Sequence, residues 1–394
     1  MGPGPHSSQG TQKKMARLAP VFINHLKLDH FRNYTSLSCA FDQRHVVLTG
    51  SNGAGKTNLI EAISFLSPGR GLRRANYTSV GTTGTDGAWS IFAQLQGASG
   101  PVSIGTGLQR TALGVETNRK LRINGAQTQS SEDLLDHLRM MWLVPAMDGL
   151  FTGPASDRRR YLDRLVLAID PAHARRVSNY EKSMRSRNKL LNEDNPDFSW
   201  LDAVENQMAE HGVAIASARV EIISLLLSLI IKTNDASSPF PDALIQLDGL
   251  LEALVPDTAA SDLEYQYSKI LRDSRRLDAA ARRTLQGPHR TDMKVHHQPK
   301  SMAAALCSTG EQKALLIGLT LAHARLTGEL HGFAPILLLD EIAAHLDSKR
   351  RSALFDMIDD LGCQAWMTGT DQELFDTLGS RANYFEVDEG KLTN

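Results

Sequence analysis

The feature that most constrains this chain is the octapeptide Gly50-Ser51-Asn52-Gly53-Ala54-Gly55-Lys56-Thr57. It satisfies G-x-x-x-x-G-K-[ST]. A compact apolar stretch, Val46–Thr49, precedes it, and Leu59, Ile60, Ile63 and Leu66 follow at helical spacing. A glycine-rich turn from strand into helix lets successive backbone N–H groups face inward around phosphate oxygens. The helix start adds partial positive charge. Lys56 is then placed for the β- and γ-phosphates of a nucleotide, and the Thr57 hydroxyl for a Mg²⁺ ion. An ordinary strand–turn–helix glycine loop would need neither Lys56 nor Thr57.

A second element is the aliphatic run Ile336-Leu337-Leu338-Leu339 followed by Asp340-Glu341. A strand buried on both faces reads as a continuous apolar run. Asp340 at its carboxyl end is suited to a Mg²⁺ contact, and Glu341 to orienting and polarising an attacking water. A third element is Ser308-Thr309-Gly310-Glu311-Gln312-Lys313 ahead of a long apolar helix. Ser308 is expected to cap that helix, and Gly310 permits close backbone approach, so the turn can hold a phosphate at its helix start. Taken alone it reads more readily as a simple capped helix, and the order of the three elements along the chain favours the phosphate reading.

Strands are expected around Val21–Leu28, Val46–Thr49 and Pro335–Leu339, and within QAWMTGT and YFEVDEG. Residues 76–128, rich in Thr, Gly and Ser, read as antiparallel strands and hairpins. From about 131 to 285 the pattern turns mostly helical. Tyr161, Leu162, Leu165, Val166 and Ile169 form one apolar face there. Trp200 to Ile231 forms a long helical stretch, with Gly212 as a candidate break. The most apolar run, Ile222–Ile231, is too short for a bilayer and reads as a buried helix. Cys39, Cys307 and Cys363 are far apart and form no CxxC, which fits a reducing cytosol and argues against a disulfide framework or a zinc module.

The three elements in this order resemble the ATP-binding-cassette ATPases of the chromosome-maintenance type, and within them the RecF family of bacterial recombination mediators. The narrower resemblance rests on Leu28-Asp-His-Phe31-Arg32-Asn33-Tyr34, Gly69-Arg70-Gly71-Leu72-Arg73 and Trp142-Leu-Val-Pro145. It is carried further by Gly153-Pro154, Asp157-Arg158-Arg159-Arg160-Tyr161-Leu162-Asp163 and Gly287-Pro-His-Arg290-Thr-Asp292. It covers nearly the whole chain from about Ala19. It implies an α/β cassette-type ATPase head, a mixed sheet with helices, plus a mostly helical second lobe. Residues 19–130 and 286–394 would form the head, 131–285 the lobe and 1–18 a disordered tail.

The resemblance further implies ATP and Mg²⁺ as cofactors and weak ATP hydrolysis coupled to dimerisation and DNA binding. Glu341, Asp340 and Lys56 would be catalytic. Gly50 through Thr57, with Arg32, Asn33, Ser308, Gly310 and Gln312, would hold nucleotide, and Thr57 and Asp340 the metal. The implied partners are DNA at gaps and junctions, a second copy of the chain, and RecO and RecR type proteins, in the cytoplasm. The implied roles are recombinase loading and SOS induction. The chain departs from cassette transporters: Thr368 and Thr370 stand where a switch histidine is expected, and no glutamine stands in a coupling loop. His345 is taken as structural and Asp347 as a dimer-facing acid.

The formal net charge is only −1, from 43 Lys and Arg against 44 Asp and Glu. This neutrality is cancellation. Residues 157–189 carry ten bases against four acids, 269–290 seven against two, and 241–264 six acids and no base. Such clusters are either solvated helix faces or a sequence-independent phosphate surface. With the resemblance, Arg158, Arg159, Arg160, Arg175 and Arg176 become candidate DNA contacts through the backbone rather than base edges. A transporter ATPase subunit is the alternative, disfavoured by the long insert between phosphate loop and Ser308. A small-molecule P-loop kinase would need no serine turn.

Overall fold

The computed structural model describes residues 18–111, 114–233, 238–344 and 346–393. The expected tail before residue 18, and His345, lie outside these residues. Two six-stranded sheets dominate the head. One is antiparallel in the order Tyr34–Ala40, Phe22–Phe31, Trp89–Gly97, Gly100–Leu108, Lys120–Ile123, Ala126–Gln127, which bears out the hairpins expected in 76–128. The other runs Met140–Leu143, Ile336–Leu339, Ala365–Thr368, His45–Thr49, Ala382–Asp388, Lys391–Thr393, parallel except for the last pair.

The central strands are apolar throughout because both of their faces are covered. Val46, Leu48, Ile336, Leu338 and Trp366 face the core shared with the antiparallel sheet and the helix Lys56–Ser64. Val47, Leu337, Leu339 and Met367 face a second core, built with the helices Ala155–Leu167 and Thr309–His331. The two-residue alternation of a strand thus distributes one apolar run between two cores.

Two expectations about the helical region need correction. The strand Met140–Leu143, placed by sequence in the second lobe, pairs in parallel with Ile336–Leu339 and belongs to the head. Four apolar residues are too few for periodicity to tell strand from helix. The helix Ala155–Leu167 likewise buries Tyr161, Leu162, Leu165 and Val166 in the head core. Gly212 does not break the long helix, which runs from Phe198 to Lys232. A Cβ there would lie 2.9 Å from the Tyr267 ring and 3.3 Å from that of Tyr180, so glycine allows close helix packing instead.

The separate core of the second lobe is formed by Tyr180, Val204, Met208, Val213, Leu263, Tyr267 and Leu271. The long helix contributes to this core near its start. Towards its end it inserts Ile222, Ile223, Leu226, Leu229 and Ile230 into the head. It is long and apolar enough to cross a membrane by length and composition alone, but its apolar face is the one covered by these two cores.

Buried histidines make stability depend on pH. His323 sits on the helix Thr309–His331 with Nε2 3.0 Å from the Leu165 carbonyl oxygen and Nδ1 against Met141 Sδ. Burial pushes its pKa down to about 4; the Leu165 carbonyl opposes this and Arg164 adds to it. The unfolded chain therefore takes up the proton first. Stability from the neutral ring is complete above the unfolded value of about 6.5 and is lost as pH falls towards 4, up to about 3 kcal/mol. His45, His289 and His331 are also shifted down, chiefly by burial, and act with the same sign. His45 keeps a neutral geometry despite lying 2.8 Å from Asp359, because its Nδ1 accepts from the Ala365 N–H. Urea midpoints should fall between pH 6.5 and 4, and His323→Leu should flatten that fall. An equal slope in both proteins would show that His323 does not titrate in this range.

Candidate nucleotide site

The carboxyl ends of three neighbouring parallel strands converge, the position at which open α/β sheets bind ligands. His45–Thr49 leads into the glycine loop, Ala365–Thr368 supplies Thr368, and Ile336–Leu339 supplies Asp340 and Glu341. Gly50 has φ +134, and a Cβ on it would lie 2.3 Å from the Val387 carbonyl oxygen. Gly55 has φ +122, and a Cβ there would lie 2.5 Å from Asn33 Nδ2. Both positions exclude a side chain by space and by backbone conformation.

Lys56 Nζ donates to the carbonyl oxygens of Gly50 (2.6 Å) and Ser51 (2.8 Å), so the ammonium lies across the mouth of the loop. Burial pushes its pKa down, while Glu341 and Asp340 pull it up. Thr57 Oγ1 donates to Asp340 Oδ1 at 3.0 Å, joining the loop to the acidic strand across 283 residues of sequence. Thr368 Oγ1 donates to the same oxygen at 2.7 Å and accepts from the Glu341 N–H at 2.9 Å. Burial raises the Asp340 pKa; the two threonine hydroxyls counter this, and Glu341 adds to it.

Glu341 has φ +50, a conformation costly for a residue other than glycine and common at functional sites. Thr368 is buried, and its hydroxyl is committed to the pair it underlies. The exposed Thr370 donates to Asp371 at 2.8 Å. The hydroxyl of Thr57 and the carboxylate of Asp340 make an oxygen pair suited to a small hard cation such as Mg²⁺.

Of the two residues expected from the start motif, Asn33 lies under the loop. Its Nδ2 donates to the Ala54 carbonyl at 2.9 Å, and its Oδ1 accepts from Asn58 at 2.8 Å. Arg32 is engaged with other protein groups: it makes two bonds to Glu61, at 2.8 and 3.0 Å, and one to the Ser79 carbonyl. The fully buried Glu61 also takes Arg73 at 3.1 Å, and Arg73 reaches Asn58 at 2.7 Å. Arg73 remains 43% exposed, and its charge acts on Asp340. Sequence reasoning missed Glu61 and Asn58 as partners in the site, and it named Thr368 only as the stand-in for a switch histidine, without its bonds to Asp340 and Glu341. Arg73 was visible only as part of a motif.

The serine turn is elsewhere on the surface. Ser308 Oγ accepts from the Glu311 N–H, Glu311 Oε2 accepts from the Ser308 N–H, and Lys300 pairs with Glu311, completing a capping box on Thr309–His331. Gln312, expected at nucleotide, is buried and donates to the Cys307 carbonyl at 2.9 Å. Gly310 has open space where a Cβ would be. Asp347 caps Ser348–Leu361 by accepting from the Arg350 N–H and stays exposed.

The candidate DNA arginines divide. Arg158 makes two bonds to Asp292, at 2.7 and 2.9 Å, and one to the Gly153 carbonyl at 2.6 Å, with 14% of its side chain exposed; it is an internal tie, not a groove residue. Arg159 donates to the Thr291 carbonyl at 2.8 Å. Thus the motifs at 157–163 and 287–292 serve each other. Arg160 pairs with Asp157 and Arg176 with Asp170. Arg175 is exposed.

A phosphate loop facing an Asp-Glu strand end, with a capped serine turn on separate surface, defines an ATPase head of the chromosome-maintenance class. The family model described as RecF/RecN/SMC N terminal domain matches residues 22–392. A protein of Rhizobium etli strain CIAT 652 named DNA replication and repair protein RecF is 59% identical over 373 residues, 94% of this chain and 98% of that one. Its namesake in Brucella suis biovar 1 is 60% identical over 374 residues, 95% and 96% of the two chains. A solved structure of the recombination mediator protein RecF with ATP, in the RecFOR pathway, has a TM-score of 0.78 at 23% identity, over 95% of this chain and 99% of that one. An Smc head domain from Pyrococcus furiosus bound to part of ScpA has a TM-score of 0.51 at 14% identity, over 95% of both chains. The chain belongs to the RecF family. The transporter alternative is not favoured.

Proposed function

We propose that this chain is an ATP-dependent DNA-binding protein of recombinational repair and replication, in which ATP joins two copies and slow hydrolysis separates them. The observation that carries this reading is the Thr57–Asp340–Thr368 hydrogen-bond cluster, which connects the phosphate loop to the hydrolytic Asp-Glu pair. ATP would draw Lys56 from the Gly50 and Ser51 carbonyls to its β- and γ-phosphates, and the loop N–H groups would take the remaining oxygens. A Mg²⁺ ion held by Thr57 and Asp340 would neutralise phosphate charge. Glu341 would accept a hydrogen bond from the attacking water, with Thr368 fixing its backbone.

The Ser308 turn would complete the site of a second copy. Beside it Leu306 is 76% and Met302 39% exposed, an apolar rim suited to an interface. Thr368 and Thr370 stand in place of a switch histidine, and Thr368 is committed to Asp340, which favours a weak ATPase. The names of the relatives, a DNA replication and repair protein and a recombination mediator of the RecFOR pathway, support action with RecO and RecR type partners. Action at DNA gaps in the cytoplasm, with recombinase loading and SOS induction as the outcome, completes the proposal.

Glu341→Gln tests this reading. It keeps the size and the backbone bond to Thr368 but cannot take a proton, so turnover should fall roughly 10²- to 10³-fold. ATP binding should persist, and sedimentation with ATP should show a dimer that outlasts that of the parent. Unchanged turnover, or a monomer with ATP bound, would overturn the scheme.

A further inference from the structure

One helix of the second lobe carries four exposed bases and takes no part in the nucleotide site. The helix His173–Leu191 buries His173, Tyr180, Ser183 and Arg187. Arg175, Lys182, Arg185 and Lys189 are all exposed on the other side. Arg175, Lys182 and Lys189 are seven residues apart, close to two helical turns, so they form one stripe, with Arg185 beside it. Arg185 pairs with Glu181 at 3.6 Å. Among the described residues, Arg175, Lys182 and Lys189 have no acidic partner within ion-pair distance.

The stripe continues onto a neighbouring segment. Thr284 Oγ1 donates to Asn188 Oδ1 at 2.8 Å, which fastens the segment carrying Arg282 and Arg283 to the C-terminal end of this helix. Both arginines are exposed and likewise lack an acidic partner among the described residues. Arg282 closes the helix Arg275–Ala281 at φ +54, a position where glycine would be unstrained. Beside Lys182 lies a polar cleft of about 320 Å³, with Asn179, Lys182 and Ser186 on one wall and Gln207, Glu210 and His211 on the other. Glu210 is its one acid.

We propose that this stripe, Arg175, Lys182, Arg185 and Lys189 continued by Arg282 and Arg283, is where the second lobe holds the phosphate backbone of duplex DNA. The proposal rests on the DNA-binding reading above and adds its location, which differs from the internally tied Arg158 and Arg159. From Arg175 to Lys189 the helix rises about 21 Å. That length of duplex axis carries about a dozen phosphates, so a row of exposed cations, of which Arg185 alone is paired among the described residues, can follow it without reading sequence. The amides and hydroxyls of the cleft suit phosphate and sugar oxygens.

The test compares two full-length variants with the parent, binding 30-base-pair duplexes of two unrelated sequences with ATP at several salt concentrations. One variant carries Arg175→Gln, Lys182→Gln, Lys189→Gln and Arg283→Gln. The other removes four exposed head charges, through Lys27→Gln, Arg122→Gln, Lys349→Gln and Lys391→Gln. The lobe variant should bind both duplexes at least tenfold more weakly at 100 mM salt, with a salt slope shallower by about 3 to 4. Its DNA-free ATPase rate and melting temperature should match the parent. The head variant should lose less than threefold. If the parent binds duplex and the lobe variant binds equally well, or the head variant loses as much, the location is wrong. If the parent fails to bind duplex at low salt, the DNA-binding reading itself falls and this proposal with it. Loss confined to one sequence would likewise overturn a backbone contact.

Discussion

Lys56→Ala is expected to lower ATP affinity at least a hundredfold while leaving the protein folded. Lys56 is the one side chain of the octapeptide that brings a full positive charge to the mouth of the loop, where its ammonium already spans two carbonyl oxygens. On binding, those neutral contacts are exchanged for contacts to phosphate oxygens. Hydrogen bonds to charged groups contribute about 1.5–3 kcal/mol each, so losing two gives about 3 kcal/mol or more, beyond a hundredfold in affinity. The cost to folding is small, because Ser51 is exposed and Gly50 partly so, and their carbonyls can turn to water. Lys56→Arg should fail nearly as badly, since Lys56 is buried and a planar guanidinium does not fit its place. Titration calorimetry with ATP and a thermal melt on each variant decide the matter. Affinity within threefold of the parent would remove Lys56 from the phosphate site.

The parts of the site that were legible in the sequence are those whose chemistry is contiguous. The glycine loop, the aliphatic run ending in Asp340-Glu341 and the capped turn at Ser308 each need only neighbouring residues. Each therefore carries its own signature, and the structure places the first two at converging strand ends. What could not be read depends on pairings between distant segments. Thr368 could be read only as a stand-in for the switch histidine; its bond to Asp340 follows because Ala365–Thr368 lies between the loop strand and the acidic strand, an order that no local pattern encodes.

Arg158 looked like part of a basic cluster because a charge count does not see Asp292, 134 residues away. Arg32 was expected at nucleotide because the motif was read as a unit. Burying Glu61 required compensating cations, and Arg32 and Arg73 supply them. The same logic separates the basic residues that are available from those that are spent. A buried carboxylate claims the nearest guanidinium, and only charges left unclaimed remain free for a ligand.

Ser308→Arg is expected to abolish ATP-driven dimerisation and to lower hydrolysis at least a hundredfold, with monomeric ATP binding nearly intact. The hydrogen bonds of the turn stay within Ser308, Glu311 and Lys300, and the phosphate loop makes its own contacts without it. A single copy therefore offers a γ-phosphate only one side of a site. The other side must come from a surface presented outward, and the Ser308 helix start, favourable to an anion and rimmed by exposed Leu306, is such a surface. A two-fold arrangement would give each copy's turn to the other copy's phosphate. Removing one preorganised donor from such a site costs about 2.7–4 kcal/mol, or 10²–10³ in rate. Arginine adds bulk at the joint but also removes the helix cap, worth about 1 kcal/mol. Ser308→Asp separates the two effects, because aspartate caps well yet sets a negative charge against phosphate. It should keep the parent's melting temperature and still fail to dimerise. Mixing Ser308→Arg with Lys56→Ala protein leaves one intact phosphate loop opposite one intact turn, so activity should return to no more than half the parent rate. Sedimentation with ATP and phosphate release, measured on the three preparations, separate these outcomes. A dimer of Ser308→Arg that hydrolyses ATP at the parent rate would show that each copy completes its own site.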